Sequence, residues 1–270
     1  MSSSASSPVL SLDLHVHSNA SDGKYPPEEV LRLAAVGGID VLALTDHDLA
    51  PALEPRMHVV EGRSVRVLAA VEVSGAHDGE ELHLLVYFPG EPPAEAVSFL
   101  RARAARRAQR FNEAAERLDI PHRAGAAAVS GEQSLTRYHL AAALAEAGRV
   151  KRPSEAWPHL QRDTVPLIDF TFLEAIRVAR GWGGLTSWAH PSLADANRHL
   201  PAFVAAGLQG LEVCRPGMAK PARNGLRRLA KRFNLLTTGG SDFHGWWPGK
   251  LGDFRFDGEH AQAFLARLDA

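Results

Sequence analysis

His15 and His17 stand two residues apart, and Asp242 and His244 repeat that spacing near the other end of the chain. In extended backbone, residues i and i+2 project to the same side, so each pair can close on one metal cluster. Asp22, the run Asp46-His47-Asp48, Glu72, His83 and His190 add further imidazoles and carboxylates. Donors of this kind, with no thiolate among them, suit Mn, Fe or Zn better than Mg. Six histidines and three carboxylates packed together without cations would leave repelling and unsatisfied groups. The expected cofactors are therefore two or three divalent ions, and the expected chemistry is hydrolysis by a water that they activate. Three such ions set against Asp22, Glu72 and Asp242 leave about +3, and two leave about +1, so the site calls for an anion such as a phosphate group.

Seven short β-rich runs must carry these groups: Val9 to Leu14, Ile39 to Thr45, Val65 to Val71, Leu82 to Phe88, Gly184 to Ala189, Leu208 to Val213 and Leu235 to Gly240. Helical patterns fall between most of them, from Pro26-Pro27 to Gly37-Gly38, Thr171 to Arg180, Ala196 to Ala206, Ala222 to Phe233 and Glu259 to Leu268. This alternation predicts an α/β barrel or a doubly wound sheet. The barrel is favoured because the ligand-type residues follow strand ends, where an α/β barrel gathers its active site. Between Glu72 and His83 there is too little chain for a parallel crossover, so a hairpin is expected to lay His83 beside Glu72. The scattered His58, His77, His122, His159, His199 and His260 are read as ordinary core or surface residues.

The 270 residues carry 30 Lys+Arg against 31 Asp+Glu, a net charge of -1, which excludes the electrostatic footprint of a general duplex-DNA binder. The hydrophobic share of 45% leaves room for one large domain, or one domain with an insertion. Cys214, the single cysteine, cannot form an internal disulfide, and nothing points to an oxidising compartment. The Ser/Ala tail over residues 1–8, expected to be disordered, has neither the charged nor the apolar region of a signal peptide, and no apolar run reaches membrane-spanning length. A cytoplasmic enzyme without a membrane partner is the expectation.

The motifs Asp13-Leu14-His15-Val16-His17-Ser18, Ser21-Asp22-Gly23, Leu44-Thr45-Asp46-His47-Asp48, Val71-Glu72-Val73-Ser74, Leu82-His83, Ala189-His190-Pro191 and Gly240-Ser241-Asp242-Phe243-His244-Gly245 follow one another between residues 12 and about 252. In type and order they resemble the motif series of the PHP (polymerase and histidinol phosphatase) family. The resemblance implies a distorted (β/α)7 barrel with a trinuclear metal centre at its mouth. Carried over, one metal would take His15, His17, Glu72 and Asp242, a second Glu72, His83 and His190, and a third Asp22, His47 and His244. Asp13 and Asp46 would steady ligand imidazoles through their free N–H.

Residues 90–167 interrupt the barrel, formed by 9–89 and 168–270, with a mostly helical insertion expected over the active site. Glu95 to Leu118 is its first helix. Its Leu135-Thr136-Arg137-Tyr138-His139 segment resembles that of family members acting on nucleotides and short 5′-phosphorylated RNA. That implies Arg137 and His139 as phosphate contacts, while capping of the following helix is the alternative. His139 and Asp48 are the candidate general acids. Arg215 is a further candidate phosphate contact, and Trp246 and Trp247 could stack on a base or pack a loop. Arg103, Arg106, Arg107 and Arg110, and separately Arg223, Arg227, Arg228, Lys231 and Arg232, are read as solvated faces, with a nucleic-acid track as the alternative. The function implied is a metal-dependent phosphoesterase, a phosphatase of nucleoside 3′,5′-bisphosphates or a 5′-to-3′ exonuclease on short single-stranded RNA. An amidohydrolase and a non-catalytic metal-binding module are the alternatives.

Overall fold

The computed structural model describes residues 10–246 and 249–270, so the tail at 1–8 and Trp247 lie outside the described residues. The sheet contains β1 (Leu12–Val16), β2 (Val41–Leu44), β3 (Met57–Val60), β4 (Arg63–His77), β5 (Glu80–Phe88), β6 (Leu185–Trp188), β7 (Gly210–Cys214) and β8 (Leu236–Gly239). The helices are α1 (Pro27–Val36), α2 (Ala94–Arg117), α3 (Ala126–Val129), α4 (Arg137–Glu146), α5 (Phe172–Gly181), α6 (Leu193–Ala205), α7 (Lys220–Arg232) and α8 (Gly258–Leu268).

The strands follow the order β1-β2-β4-β5-β6-β7-β8, with β3 paired to β4 at the side. Every neighbouring pair along that path is parallel except those of β5, which is antiparallel to both β4 and β6. That single reversed strand is the distortion in an otherwise (β/α)7-like barrel. Its two ends meet through the chain after β8: the Asp242 N–H donates to the His15 carbonyl at 2.8 Å, and the His17 N–H donates to the Phe243 carbonyl at 2.9 Å. Gly240 makes this approach possible, because a Cβ there would come within 2.2 Å of the His15 Cβ.

α1 shows how the sequence sets the packing. Pro27 opens it with φ already fixed, Glu28 and Glu29 sit in its positive first turn, and Val30, Leu31, Ala34 and Ala35 form one buried stripe. That stripe packs with Leu42, Leu44 and Val65. A second core lies where Val71, Val73, Leu84 and Val86 meet Phe172 and Ile176 of α5 and Phe203 of α6. A third collects Leu12, Leu14, Leu85 and Tyr87 with Phe264 and Leu268 of α8. The chain between β5 and α5 has its own small core, made of Phe111, Ala115, Ile120, Leu140, Leu144, Leu160 and Val165 among others.

The structure extends β4 to 15 residues and adds β3, which the sequence reading does not contain. β3 is a four-residue edge strand whose Met57 and Val59 are exposed, too short and too open to register as a buried run. β1 begins at Leu12, the expected start at Val9 lying outside the described residues, and α6 begins at Leu193, where Ser192 accepts the Asp195 N–H as its N-cap.

Candidate metal centre

The strand ends deliver the predicted groups to one place. His15 Nε2 lies 3.1 Å from His17 Nε2, 3.2 Å from Glu72 Oε2 and 3.5 Å from Asp242 Oδ1. His17 Nε2 is 3.2 Å from Glu72 Oε2 and 3.4 Å from Asp242 Oδ1. These four atoms surround one point. The other oxygen, Glu72 Oε1, stands 3.1 Å from His83 Nδ1 and 3.2 Å from His190 Nε2, which are themselves 3.1 Å apart. Around Asp22 gather His47 Nε2 at 3.6 Å from Oδ2 and His244 Nε2 at 3.3 Å from Oδ1. His47 Nδ1 is also 3.2 Å from Glu72 Oε2, which links this group to the first. Glu72 joins the groups because it lies mid-strand on β4, paired with Leu85 of β5 and diagonal to His83, which pairs with Ser74.

Three non-glycine residues at the mouth, Asp48, His190 and Asp242, have left-handed backbone with φ of 47°, 37° and 52°. Such a turn costs free energy and persists only where surrounding bonds hold it. At His190 the holder is Glu212: its Oε2 accepts the His190 backbone N–H at 2.6 Å, and its Oε1 accepts the His15 Nδ1–H at 3.1 Å. His244 Nδ1 donates to the Asp242 carbonyl at 2.9 Å. Both contacts fix the tautomer and leave Nε2 as a lone pair facing the cluster.

The electrostatics suit cations. His17 is pushed up to about 10: burial works against its charge, but the Asp242 and Glu72 carboxylates outweigh it. His15 is raised in the same way, burial being overcome by Glu72, Asp242 and Glu212. Glu72 and Asp242 are held well below the usual carboxylate range despite burial, by the surrounding imidazoles. His47 differs, since burial dominates and lowers it to about 3. Buried Glu72 Oε2, the oxygen that faces His15 and His17, has no hydrogen-bond partner, as a ligand atom aimed at an ion would not, and the second ring nitrogens His17 Nδ1 and His47 Nδ1 are unpartnered as well. The donor set and these orphaned atoms fit divalent metals.

A cavity of about 240 Å³ opens above this floor. Asp22, His47, His83 and His244 form its base, and Glu81, Arg107, Thr136, Arg137, Tyr138 and Trp157 its walls. Arg137, at the first turn of α4, has Nη2 3.7 Å from Glu81 Oε2 and is partly exposed to the cavity. Tyr138 stacks on Trp246 at 5.0 Å, and Trp246 Nε1 donates to the Asp22 carbonyl at 2.7 Å. Arg215 lines an adjoining cleft of about 370 Å³ that shares Asp242 and His244 with the centre.

Several expectations are corrected here. His139 spends Nδ1 on capping α4, where it accepts the Thr136 N–H at 3.0 Å, and the cavity wall is Tyr138 instead. Asp48 is fully buried, and burial alone would raise its pKa, but Arg103 and Arg107 pull it below the ordinary range. Arg107 Nε donates to it at 2.6 Å, so it holds no proton to give and is no general acid. Asp46 accepts from Ser18 and Ser21, and Asp13 from the Ser241 N–H, so neither steadies an imidazole; Glu212 does that for His15. Arg103, Arg107 and Arg110 face inward, against Asp48, Ser74 and Glu81, whereas Arg106 pairs with Glu113 and Asp169 on the outer side. Glu212 and Trp157 were not singled out from the sequence. A carboxylate inside the apolar β7 run was the available signal for the first, and the half-exposed Trp157 had none.

A model of the PHP domain matches residues 13–147. A phosphoribosyl 1,2-cyclic phosphate 1,2-diphosphodiesterase from Eggerthella lenta is 35% identical over 86% of this chain and 94% of its own. A 3′,5′-nucleoside bisphosphate phosphatase from Chromobacterium violaceum is 30% identical over 90% of each. A 5′-3′ exoribonuclease from Haemophilus influenzae is 28% identical over 87% of this chain and 91% of its own. A solved structure from Bifidobacterium adolescentis, inferred to be a metal-dependent phosphoesterase, superposes with a TM-score of 0.75 at 27% identity, covering 96% of this chain and 97% of that one. Among the described residues no helix is long and apolar enough to cross a membrane.

Proposed function

Because this chain belongs to the PHP domain family and is a metal-dependent phosphoric ester hydrolase, we propose that it removes a phosphate from nucleoside 3′,5′-bisphosphates. Three ions of Mn, Fe or Zn, held by His15, His17, Glu72 and Asp242, by Glu72, His83 and His190, and by Asp22, His47 and His244, complete the site. When bound, such ions stabilise hydroxide near neutral pH and neutralise phosphate oxygens. The observation that carries the reading is Arg137 beside Tyr138 and Trp157, over a floor made of metal ligands, in a cavity of about 240 Å³.

In this reading the Arg137 fork holds two phosphate oxygens and stabilises charge that develops on them. Glu81 aligns Arg137, and Arg107 anchors the preceding Leu135 carbonyl at 3.2 Å. Burial and nearby Asp22 raise the Tyr138 phenol, so it keeps its proton at neutral pH and can donate to the leaving oxygen. Trp157 and Trp246 offer faces on which a base can stack. The helical segment 90–167 thus acts as a subdomain over the site. A nucleotide substrate and a lone cysteine suit the cytoplasm.

A second reading, release of mononucleotides from the 5′ end of short RNA, is favoured by the adjoining cleft at Arg215, which gives room for a following nucleotide. The experiment is release of inorganic phosphate from adenosine 3′,5′-bisphosphate by Mn-loaded protein, with a chelator control. Chelator-sensitive release supports the first reading. No phosphate from the bisphosphate, with mononucleotides from 5′-phosphorylated RNA, replaces it with the second, and turnover of neither returns attention to amide substrates.

A further inference from the structure

Beyond the metal centre, the tip of the β4–β5 hairpin brings other ligand atoms against α6. Asp78 and Gly79 form its two-residue turn, with φ of 47° and 77°. This is type I′ geometry, for which Asp-Gly is a favoured pair, and it sets Asp78 beside His77 at the end of β4. From α6, His199 places Nδ1 3.2 Å from His77 Nε2. Both rings rest on the fully buried Phe203, His77 edge-on at 4.8 Å and His199 stacked at 5.8 Å. Asp78 Oδ1 is 4.0 Å from His77 Nε2, and its Oδ2 is 4.0 Å from His199 Nδ1.

A tetrahedral zinc ion, with Zn–N of 2.0–2.1 Å, spaces its donor atoms about 3.3 Å apart. The two imidazole nitrogens already stand at that separation, on rings that packing holds in place. Only the half-exposed Asp78 carboxylate must swing inward, by side-chain rotation. Burial disfavours the charged form of His77, with His199 and Arg198 acting in the same sense and Asp78 opposing them, so its ring offers lone pairs.

We propose that His77, Asp78 and His199 bind one divalent transition ion of the zinc class, with water in the fourth position, and that this ion clamps the hairpin to α6. None of the three residues belongs to the groups around Glu72 and Asp22. One carboxylate against a divalent ion leaves about +1, which makes the site weaker than the main centre and dependent on pH through ligand protonation. Arg198 competes with the ion, since its Nη2 lies 3.3 Å from Asp78 Oδ2.

The test is equilibrium dialysis of the full chain against zinc, followed by elemental analysis and a zinc titration. His199→Gln is expected to hold about one equivalent less than the parent while Mn-dependent turnover is unchanged. Arg198→Ala, an exposed change that does not threaten folding, is expected to bind the additional ion several-fold more tightly. Equal zinc content in the parent and a folded His199→Gln overturns the site and leaves a plain hydrogen bond between the two rings. If His199→Gln does not fold, an Arg198→Ala titration identical to that of the parent overturns it instead.

Discussion

Glu212 grips two of the proposed metal ligands at once, taking the His15 ring N–H with one oxygen at 3.1 Å and the His190 backbone N–H with the other at 2.6 Å. It thereby fixes the tautomer of the first and the left-handed backbone of the second. Glu212→Gln is expected to weaken metal retention about 10–100-fold, as for other residues that orient a ligand imidazole. Chelator competition measures this. Parent-like metal retention would show that His15 needs no such support.

His83→Ala and Asp242→Ala each remove a proposed ligand from a different group. Each is expected to lower bound metal and abolish turnover, read by elemental analysis beside a phosphate-release assay. Full activity with unchanged metal content in either variant would remove that residue from the ligand set.

Arg137 touches no ligand atom, so Arg137→Ala should leave metal content intact. Turnover measured as kcat/KM is expected to fall about 10²–10³-fold, the scale for losing a preorganised donor to developing charge. Arg137→Lys restores the charge without the planar fork and should recover part of the loss. A full recovery would mean that a point charge suffices.

Arg107→Ala takes from the buried Asp48 carboxylate its shortest contact and leaves it Arg103 at 3.4 Å and the Ser74 N–H at 3.1 Å. Breaking a buried pair outright costs about 3–5 kcal/mol, so with Arg103 still in place urea unfolding should shift by up to that scale, while Arg106→Ala, on the outer side, shifts little. The pH dependence has a definite sign. Asp48 is lowered in the folded protein from its ordinary 3.8, so its contribution is complete above that value and is lost as pH falls through the lowered one. Parent protein should therefore lose stability relative to Asp48→Asn below about pH 4, as measured by paired unfolding curves.

The residues that gather in the candidate metal centre are mostly legible in the sequence. Their information is local: histidines at i, i+2 on strand ends, and a hairpin short enough to force His83 next to Glu72. What could not be read is tertiary. Arg103, Arg107 and Arg110 lie at helical spacing among polar neighbours, which describes a solvated face equally well. Their partners Asp48 and Glu81 are on other elements, and only the docking of α2 brings them together. His77 and His199 are likewise ordinary residues in sequence and meet because α6 docks with its Phe203 against His77 at the end of β4. His139 misled for another reason: its position three residues after Thr136 serves a helix cap as well as a phosphate site.

The reversal of β5 sets a length. This strand leaves the mouth at His83 and finishes at Phe88, so the chain that follows starts at the far end and must climb back before it can reach the substrate. The 24 residues of α2 span about 36 Å and make that climb, with Ala96 and Leu100 packed near Phe88 and the inward arginines one to three turns higher. The helix therefore works as a strut whose height and bearing are coupled. One residue added between Leu100 and Arg103 would turn the arginine face by about 100° as well as lifting it, and two full turns would recover the bearing but overshoot by roughly 10 Å. The length of this stretch therefore answers to two demands at once, the distance climbed and the direction faced.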